Sequence, residues 1–441
     1  MTTSETYRRL GEDAWSWVLD QVREDDGPWL PETVSPDDPA PVPAKDRDTL
    51  YAGVGGLAPV LAEIARYREP SPRERELAAG IVSRLSSRAP AGTEASLYDG
   101  LAGDAMALRL LEPGTESVAL ARVADLATPE GWRSTIGFEP DADAPLNDIV
   151  MGAAGVVLTA VWAGGGFAEP IAVTGCEALL RVADRTEAGL DWGIAAGTEW
   201  RAPNYSHGTA GVASALAVAG AAFHREDFVE AAVRGARHVL SVGSLANDGF
   251  VVPHTIPPST REVEPVTYTW CHGPAGTSHL FAALAHAGVA EVSGIGVGEL
   301  RRRCLTSIVT SGVPDRLRPG FWDNDGRCCG TAGVGDVLLD AAQDCEEPAE
   351  ASALVSAARR MGDALVERAV QDASGARWRF LEHRKDPPLL PPGTGWMQGA
   401  AGIAAFLLRL GRFLETGPDA PVVDRPDQWW AVPARLRLSG R

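Results

Sequence analysis

The element Gly-x-x-Gly occurs seven times in register along this chain, each time followed by an apolar run. The first glycines are Gly53, Gly100, Gly152, Gly208, Gly273, Gly330 and Gly399, and the second are Gly56, Gly103, Gly155, Gly211, Gly276, Gly333 and Gly402. Successive pairs stand 47 to 69 residues apart, which suits one helical hairpin with its loops. A unit of that size cannot bury its apolar face alone, so such repeats stack or close on one another. The runs after the glycines, such as Leu57–Ile64, Val212–Val218 and Ile403–Leu410, are rich in Ala and Leu with few charges, and predict buried inner helices. The other helical stretches (Arg73–Arg88, Glu226–Val242, Val297–Thr310 and Ala349–Asp372) carry more charge and predict an outer layer. Seven inner and seven outer helices close into an α/α toroid, so the expected fold class is all-α.

Residues 1–441 read as a single domain of this kind. Helical spacing over 4–24 predicts a first helix, and the Pro- and Asp-rich stretch up to residue 48 a lead-in loop. Pro- and Gly-rich connectors are expected at 112–146, 185–206, 243–269, 311–327 and 373–395. The tail 416–441, with Trp429 and Trp430, is expected along the outside.

In a toroid all seven glycine pairs sit at one end, at inner-helix N-termini. Glycine there allows close approach and special backbone angles. Helix N-terminal N–H groups and positive dipole ends make that end favourable for thiolates and carboxylates. The residues before the first glycines are Ala52, Asp99, Met151, His207, His272, Cys329 and Gln398, and one step earlier stand Tyr51, Tyr98, Val150, Ser206, Cys271, Cys328 and Met397. Equivalence of the blocks brings these side chains to one mouth. A single cysteine is most often a small buried apolar residue. Three thiols in matching places, Cys271, Cys328 and Cys329, point instead to a metal, and Zn2+ takes such ligands with one position open in catalytic sites. Cys176, Cys304 and Cys345 fall off the frame and are expected in the core.

His207 in the same ring is a candidate general acid or base. His272 is a ligand or a neighbour of the ligands, the latter favoured with Cys329 at hand. Asp148, four residues before Gly152, and Asp99, directly before Gly100, are helix caps in their plainer reading.

The net charge of −19 disfavours nucleic acid and anionic membranes as partners. No apolar run is long enough to span a bilayer, and the charged N-terminus lacks a signal-peptide core, so a cytoplasmic location is expected. Clustered cysteines in such a chain favour metal or catalysis over disulfides.

Trp270-Cys271-His272-Gly273, Cys328-Cys329-Gly330 and Ser206-His207-Gly208, set in the sevenfold frame from about 45 to 415, resemble the lanthionine synthetase C-like family. The family contains the cyclases of lanthipeptide biosynthesis and their relatives. The resemblance implies an α/α toroid with a central zinc. It places Cys271 and Cys328 as ligands, with Cys329 where many members have His, and matches His207 and Asp148 to the catalytic His and active-site Asp. His272, Asp99 and Trp270 are further candidates around the metal.

The implied reaction is addition of a peptide cysteine thiolate to dehydroalanine or dehydrobutyrine, giving a lanthionine or methyllanthionine ring. Its substrate would be a dehydrated precursor peptide, and separate dehydratase or kinase enzymes would act before it. Three alternatives remain open at this point. They are addition of glutathione or another small thiol by the same residues, a non-catalytic zinc-containing peptide-binding component of a biosynthetic complex, and a toroidal glycosidase using paired carboxylates.

Overall fold

A computed structural model describes residues 2–35, 46–136, 143–259, 264–382 and 385–437. Parts of the expected lead-in, of the connectors 112–146, 243–269 and 373–395, and the end of the tail lie outside the described residues. Seven inner helices follow the glycine pairs: α2 (Ala58–Ile64, entered through a 3-10 turn at Val54–Leu57), α4 (Leu101–Leu111), α6 (Ala153–Ala163), α8 (Thr209–Phe223), α10 (Pro274–His286), α12 (Thr331–Asp344) and α14 (Ala400–Thr416). Six outer helices alternate with them: α3 (Pro72–Arg88), α5 (Ser117–Leu126), α7 (Ala168–Arg181), α9 (Glu226–Val242), α11 (Val297–Thr310) and α13 (Pro348–Arg368).

The seventh outer place is taken by α1 (Ser4–Gln21), from the other end of the chain. Its Gly11 lies against Ala404 and Leu408 of α14, so the two helices approach backbone to backbone. Tyr7, Leu10, Trp15 and Val18 are buried there, each large apolar side chain contributing about 1.5–3 kcal/mol. The first and last helices thereby close the ring.

Burial follows the two kinds of sequence. Every residue from Thr209 to Gly220 of α8 is buried, as an inner helix with neighbours on all sides requires. In α9 the buried residues Phe228, Ala231, Ala232, Gly235, Ala236, His238 and Val239 form one stripe. Helix α3 starts with a reciprocal cap: Ser71 Oγ accepts from Glu74 N at 3.3 Å, and Glu74 Oε2 accepts from Ser71 N at 2.6 Å.

The inner helices are capped differently. The first residue after each leading glycine donates its N–H to a carbonyl seven residues back: Val54 to Arg47, Leu101 to Glu94, Ala153 to Leu146, Thr209 to Ala202, Thr331 to Asn324 and Ala400 to Gly393. In the remaining block this residue is Pro274, which has no N–H to place. The leading glycine sits against this returning strand of chain, and a Cβ on it would collide with backbone atoms there. A Cβ on each second glycine would strike the carbonyl oxygen of Leu50, Leu97, Ile149, Tyr205, Trp270, Arg327 or Trp396. Backbone φ at the leading glycines stays negative, from −90° at Gly53 to −163° at Gly208. Close approach, not an unusual dihedral, is what demands glycine. The first N–H of these helices is thereby spent on the chain's own carbonyls.

Five two-stranded antiparallel hairpins decorate the described residues. One pairs Val370–Asp372 with Gly375–Arg377. The expected outer helix therefore ends at Arg368 and not Asp372, because a turn with Gly375 at φ +114° folds the chain back.

The tail does not run along the outside. Trp162 of α6 donates to Asp424 Oδ2 at 3.0 Å, Gln343 of α12 to the Ala420 carbonyl at 2.8 Å, and Trp430 to the His279 carbonyl of α10 at 3.1 Å. Tyr205 and Tyr98 reach the Asp427 carbonyl and Oδ2 at 2.6 and 3.3 Å. Helices on different sides of the ring meet the same dozen residues, so this segment fills the hole of the toroid. Beneath the mouth Asp336 takes three buried guanidiniums, those of Arg327, Arg409 (3.1 Å) and Arg425 of the tail (3.6 Å).

Candidate metal centre

The position two before each leading glycine supplies a backbone belt. Tyr51 N donates to Tyr98 O (2.9 Å), Tyr98 N to Val150 O (3.1 Å), Ser206 N to Cys271 O (3.0 Å), Cys271 N to Cys328 O (3.2 Å), Cys328 N to Met397 O (3.0 Å) and Met397 N to Tyr51 O (3.1 Å). The remaining step is made one residue early, by Ile149 N to Ser206 O at 3.2 Å. The seven turns are thus joined in a closed circle. Residues far apart in sequence become neighbours because their backbones are bonded to each other.

On one arc of the belt the three thiols converge. Cys271 Sγ lies 3.3 Å from Cys329 Sγ, and Cys329 Sγ lies 3.4 Å from Cys328 Sγ. All three sulfurs fall within 4.8 Å of one another, a group that can hold a metal ion. Tetrahedral Zn–S bonds of about 2.3 Å separate sulfurs by about 3.8 Å. A few tenths of an ångström of opening converts the cluster into a ligand set, and an all-sulfur set suits a soft or borderline ion such as Zn2+.

The thiols share protons in one direction. Burial, and then its bonds to Cys328 and Cys329, push the Cys271 thiol well above the usual range. Hydrogen bonds from Cys271 and Cys329, joined by one from Tyr51, hold Cys328 well below it.

The neighbouring arc carries His207, whose Nδ1 lies 2.6 Å from Asp148 Oδ2. Asp148 is completely buried, whereas the His207 side chain keeps a quarter of its surface exposed. The other oxygen of Asp148 accepts from Met151 N at 2.7 Å. One oxygen thus serves His207 and the other the turn before α6, whose N-cap Gly152 has no side-chain bond, so Asp148 does not cap the helix itself. With Nδ1 facing the carboxylate, Nε2 is the nitrogen left for chemistry.

His272 lies between the two arcs. Its ring centroid is 5.6 Å from that of His207 and 3.9 Å from that of His254. A cavity of about 180 Å³ opens here, lined by Cys271, Cys329, His254, His272, Phe321 and Trp322 among others. Trp270 is buried below the belt, its ring edge-on to Tyr98 and Tyr205. Asp99 lines a different cavity with Arg88, Glu94 and Thr135. Glu264, Asp323 and Glu382 also line the cavity beside the thiols, while Asp148 is committed to His207 and Met151.

Two residues had no assigned role in the sequence. Thr269 Oγ1 lies 3.3 Å from Cys271 Sγ and accepts from His272 N at 3.1 Å. It stands four before Gly273 as Asp148 stands four before Gly152, so the frame carried that signal. His254 comes from a connector, where the frame gives no register.

Residues 44–413 match the family model described as lanthionine synthetase C-like protein. The chain belongs to the lanthionine synthetase C-like family. No curated protein matches it in sequence. Among solved structures this lanthionine synthetase C-like chain is similar to nisin cyclase, at a TM-score of 0.55 and 15% identity over 83% of this chain and 89% of that one. At that identity the likeness speaks for the fold. Unsaturated glucuronyl hydrolase from Bacillus sp. GL1 (TM-score 0.47, 15% identity, 93% and 97% coverage) and the GH76A α-1,6-mannanase from Salegentibacter sp. HEL1_6 (0.45, 12%, 92% and 98%) are more remote and carry no argument. No described helix is long and apolar enough to cross a membrane.

Proposed function

We propose that this protein is a zinc-dependent lanthipeptide cyclase, joining a peptide cysteine to dehydroalanine or dehydrobutyrine through a thioether. One observation carries the reading: the belt sets a three-thiol cluster beside a histidine backed by a buried aspartate. Cys271, Cys328 and Cys329 would hold Zn2+, which when bound supplies Lewis acidity that makes a coordinated thiol a thiolate at neutral pH.

The chain's own residues account for the proton. His207 Nε2 takes the proton that the substrate cysteine gives up, and Asp148 stabilises the resulting imidazolium. Sulfur then bonds to the β-carbon of the dehydroamino acid, and the C=C pair moves into an enolate. His207 returns its proton to the α-carbon. No atom is gained or lost, and His207 and Asp148 end as they began. Three cysteinates make the ligand set more electron-rich than two cysteinates with a histidine, which favours a nucleophilic sulfur.

The substrate would be a dehydrated precursor peptide, and a dehydratase or a kinase with lyase activity must supply its dehydroamino acids. Such a reaction takes place inside the cell, which fits a cytoplasmic setting.

Elemental analysis of purified wild type, Cys328→Ala and Cys329→Ala is the first test, with one zinc per chain expected in wild type only. A dehydrated cysteine-containing peptide is then offered with and without glutathione. Cyclisation leaves the peptide mass unchanged while free thiols disappear from an alkylation assay. A mass gain equal to glutathione would move the reading to small-thiol addition. Wild type free of metal would sink the catalytic proposal, and a metal-loaded protein that binds peptide without consuming thiols would make it a peptide-binding component.

A further inference from the structure

Each of the three sulfurs faces one neutral side-chain donor. Thr269 Oγ1 lies 3.3 Å from Cys271 Sγ. Gln398 Nε2 lies 3.9 Å from Cys329 Sγ. The Tyr51 hydroxyl acts on Cys328 and helps hold its thiol low. The last two donors are joined, because Gln398 Nε2 also donates to the Tyr51 hydroxyl at 2.8 Å, and Asn324 Nδ2 donates to Gln398 Oε1 at 3.3 Å. The Tyr51 oxygen accepts from Gln398, which leaves its own proton to donate. The amide-to-hydroxyl-to-thiol order is a relay, and polarisation along it strengthens the last bond.

The charge count explains why such donors matter. Three cysteinates on a divalent ion leave one negative charge, and a substrate thiolate makes it two. The cation next in sequence, Arg327, is committed elsewhere: its guanidinium pairs with Asp336 and lies 4.2 Å from the Trp396 ring centroid. Neutral hydrogen bonds are one means of dispersing charge on the sulfurs.

We infer that Tyr51, the belt residue of the first block, and Gln398, which follows the belt residue Met397 of the last block, are positioning residues that donate to the thiolates of the metal centre and set how firmly they hold the ion and how electron-rich they are. The inference rests on the metal-binding reading given above. Partners of ligands that donate or accept in this way typically change metal affinity about 10- to 100-fold when removed.

The test uses cobalt(II) in place of zinc, because thiolate-to-cobalt charge-transfer absorption reports electron density on sulfur without any turnover. Tyr51→Phe and Gln398→Leu are compared with Tyr98→Phe, which changes the equivalent belt position but loses a bond to Asp427 instead. The charge-transfer band should move to longer wavelength in Tyr51→Phe and by less in Gln398→Leu. It should stay in place in Tyr98→Phe. Chelator competition should show metal held about 10-fold more weakly in Tyr51→Phe. An unmoved band in a stably folded, cobalt-loaded Tyr51→Phe overturns the inference while leaving the metal centre intact. Equal movement in the Tyr51 and Tyr98 variants overturns it as well. Should Tyr51→Phe not fold, an unmoved band in Gln398→Leu decides against it. Wild type that takes up no cobalt refutes the metal-binding reading itself.

Discussion

Asp148 uses its two oxygens for two purposes, and substitution can separate them. Oδ2 meets His207 Nδ1 at 2.6 Å, while Oδ1 caps the turn through Met151 N at 2.7 Å. Asp148→Asn keeps an oxygen for the turn and a polar atom near His207 but removes the charge that favours imidazolium. A hydrogen bond to a charged group is worth about 1.5–3 kcal/mol. Lost from the step in which His207 carries the proton, that is about a 10- to 150-fold fall in rate. Asp148→Ala also removes the hydrogen bond to the turn, at about 1 kcal/mol. Unfolding entropy of about 2.1 cal/mol/K per residue makes this only about 1 °C in Tm for a chain of 441 residues. Rates come from loss of alkylatable thiol on the dehydrated peptide, and stability from denaturant titration, where 1 kcal/mol is resolved. Asn should be slow and as stable as wild type, whereas Ala should be slow and less stable. An Asp148→Asn protein within twofold of wild-type rate would refute the assignment of His207 as the proton carrier held by this carboxylate.

Other perturbations test the frame around the site. Gly333→Ala places a methyl group against the Arg327 carbonyl, next to the cysteine pair, and should cost about 1–3 kcal/mol or more and lower metal content. Gly298→Ala in α11 meets open space and should stabilise by about 0.5–1 kcal/mol; the two are compared by chemical denaturation. Asp336→Asn leaves Arg327, Arg409 and Arg425 buried without their shared carboxylate and should cost about 3–5 kcal/mol, or about 3–5 °C in Tm, where loss of the exposed Glu5–Arg8 pair should be barely measurable. Burial holds His279 down to about 3 against an ordinary 6.5. The unfolded chain therefore takes up the proton first, and stability should fall by roughly 1.4 kcal/mol per pH unit below about 6.5. Denaturation curves collected between pH 7 and 4 should be shallower in their pH dependence for His279→Gln, and parallel curves would contradict the assignment.

The toroid was legible because its signal is redundant. Any one Gly-x-x-Gly is weak, but seven in register each mark a place where backbone must touch backbone, at the carbonyl before the belt residue and at the returning loop. The same register aligned Cys271 with Cys328 and set Cys329 and His207 one step on, so the thiol cluster and its neighbouring histidine were readable before any geometry. Thr269 could have been read with them, as the counterpart of Asp148. His254 could not. It enters from a connector whose length differs from the others, and its place against His272 depends on how that loop folds back through His254 N to the Pro265 carbonyl at 2.9 Å.

The tail was misread for a reason that bears on the site. Trp429, Trp430, Arg425 and Asp427 look in sequence like a mixed, surface-covering segment, since no periodicity distinguishes the outside of a ring from its hole. What decides is closure by α1: with the seventh outer place filled from the N-terminus, the chain leaving α14 has the axis still available. A ring of Ala-rich helices leaves a channel there, and apolar helices around an empty channel would lose dispersion contacts along its whole length. The tail fills it with rings and with charges that the ring complements, Arg425 to Asp336 and the Asp427 carboxylate to the Tyr98 hydroxyl, while Tyr205 donates to the Asp427 carbonyl. Asp336 in turn holds Arg327, the residue before the cysteine pair. The residues matched by the family model stop at 413, yet the residues that support the floor of the candidate site from below lie after it. The cysteine-bearing loop is therefore braced by a part of the chain to which the repeat frame does not extend.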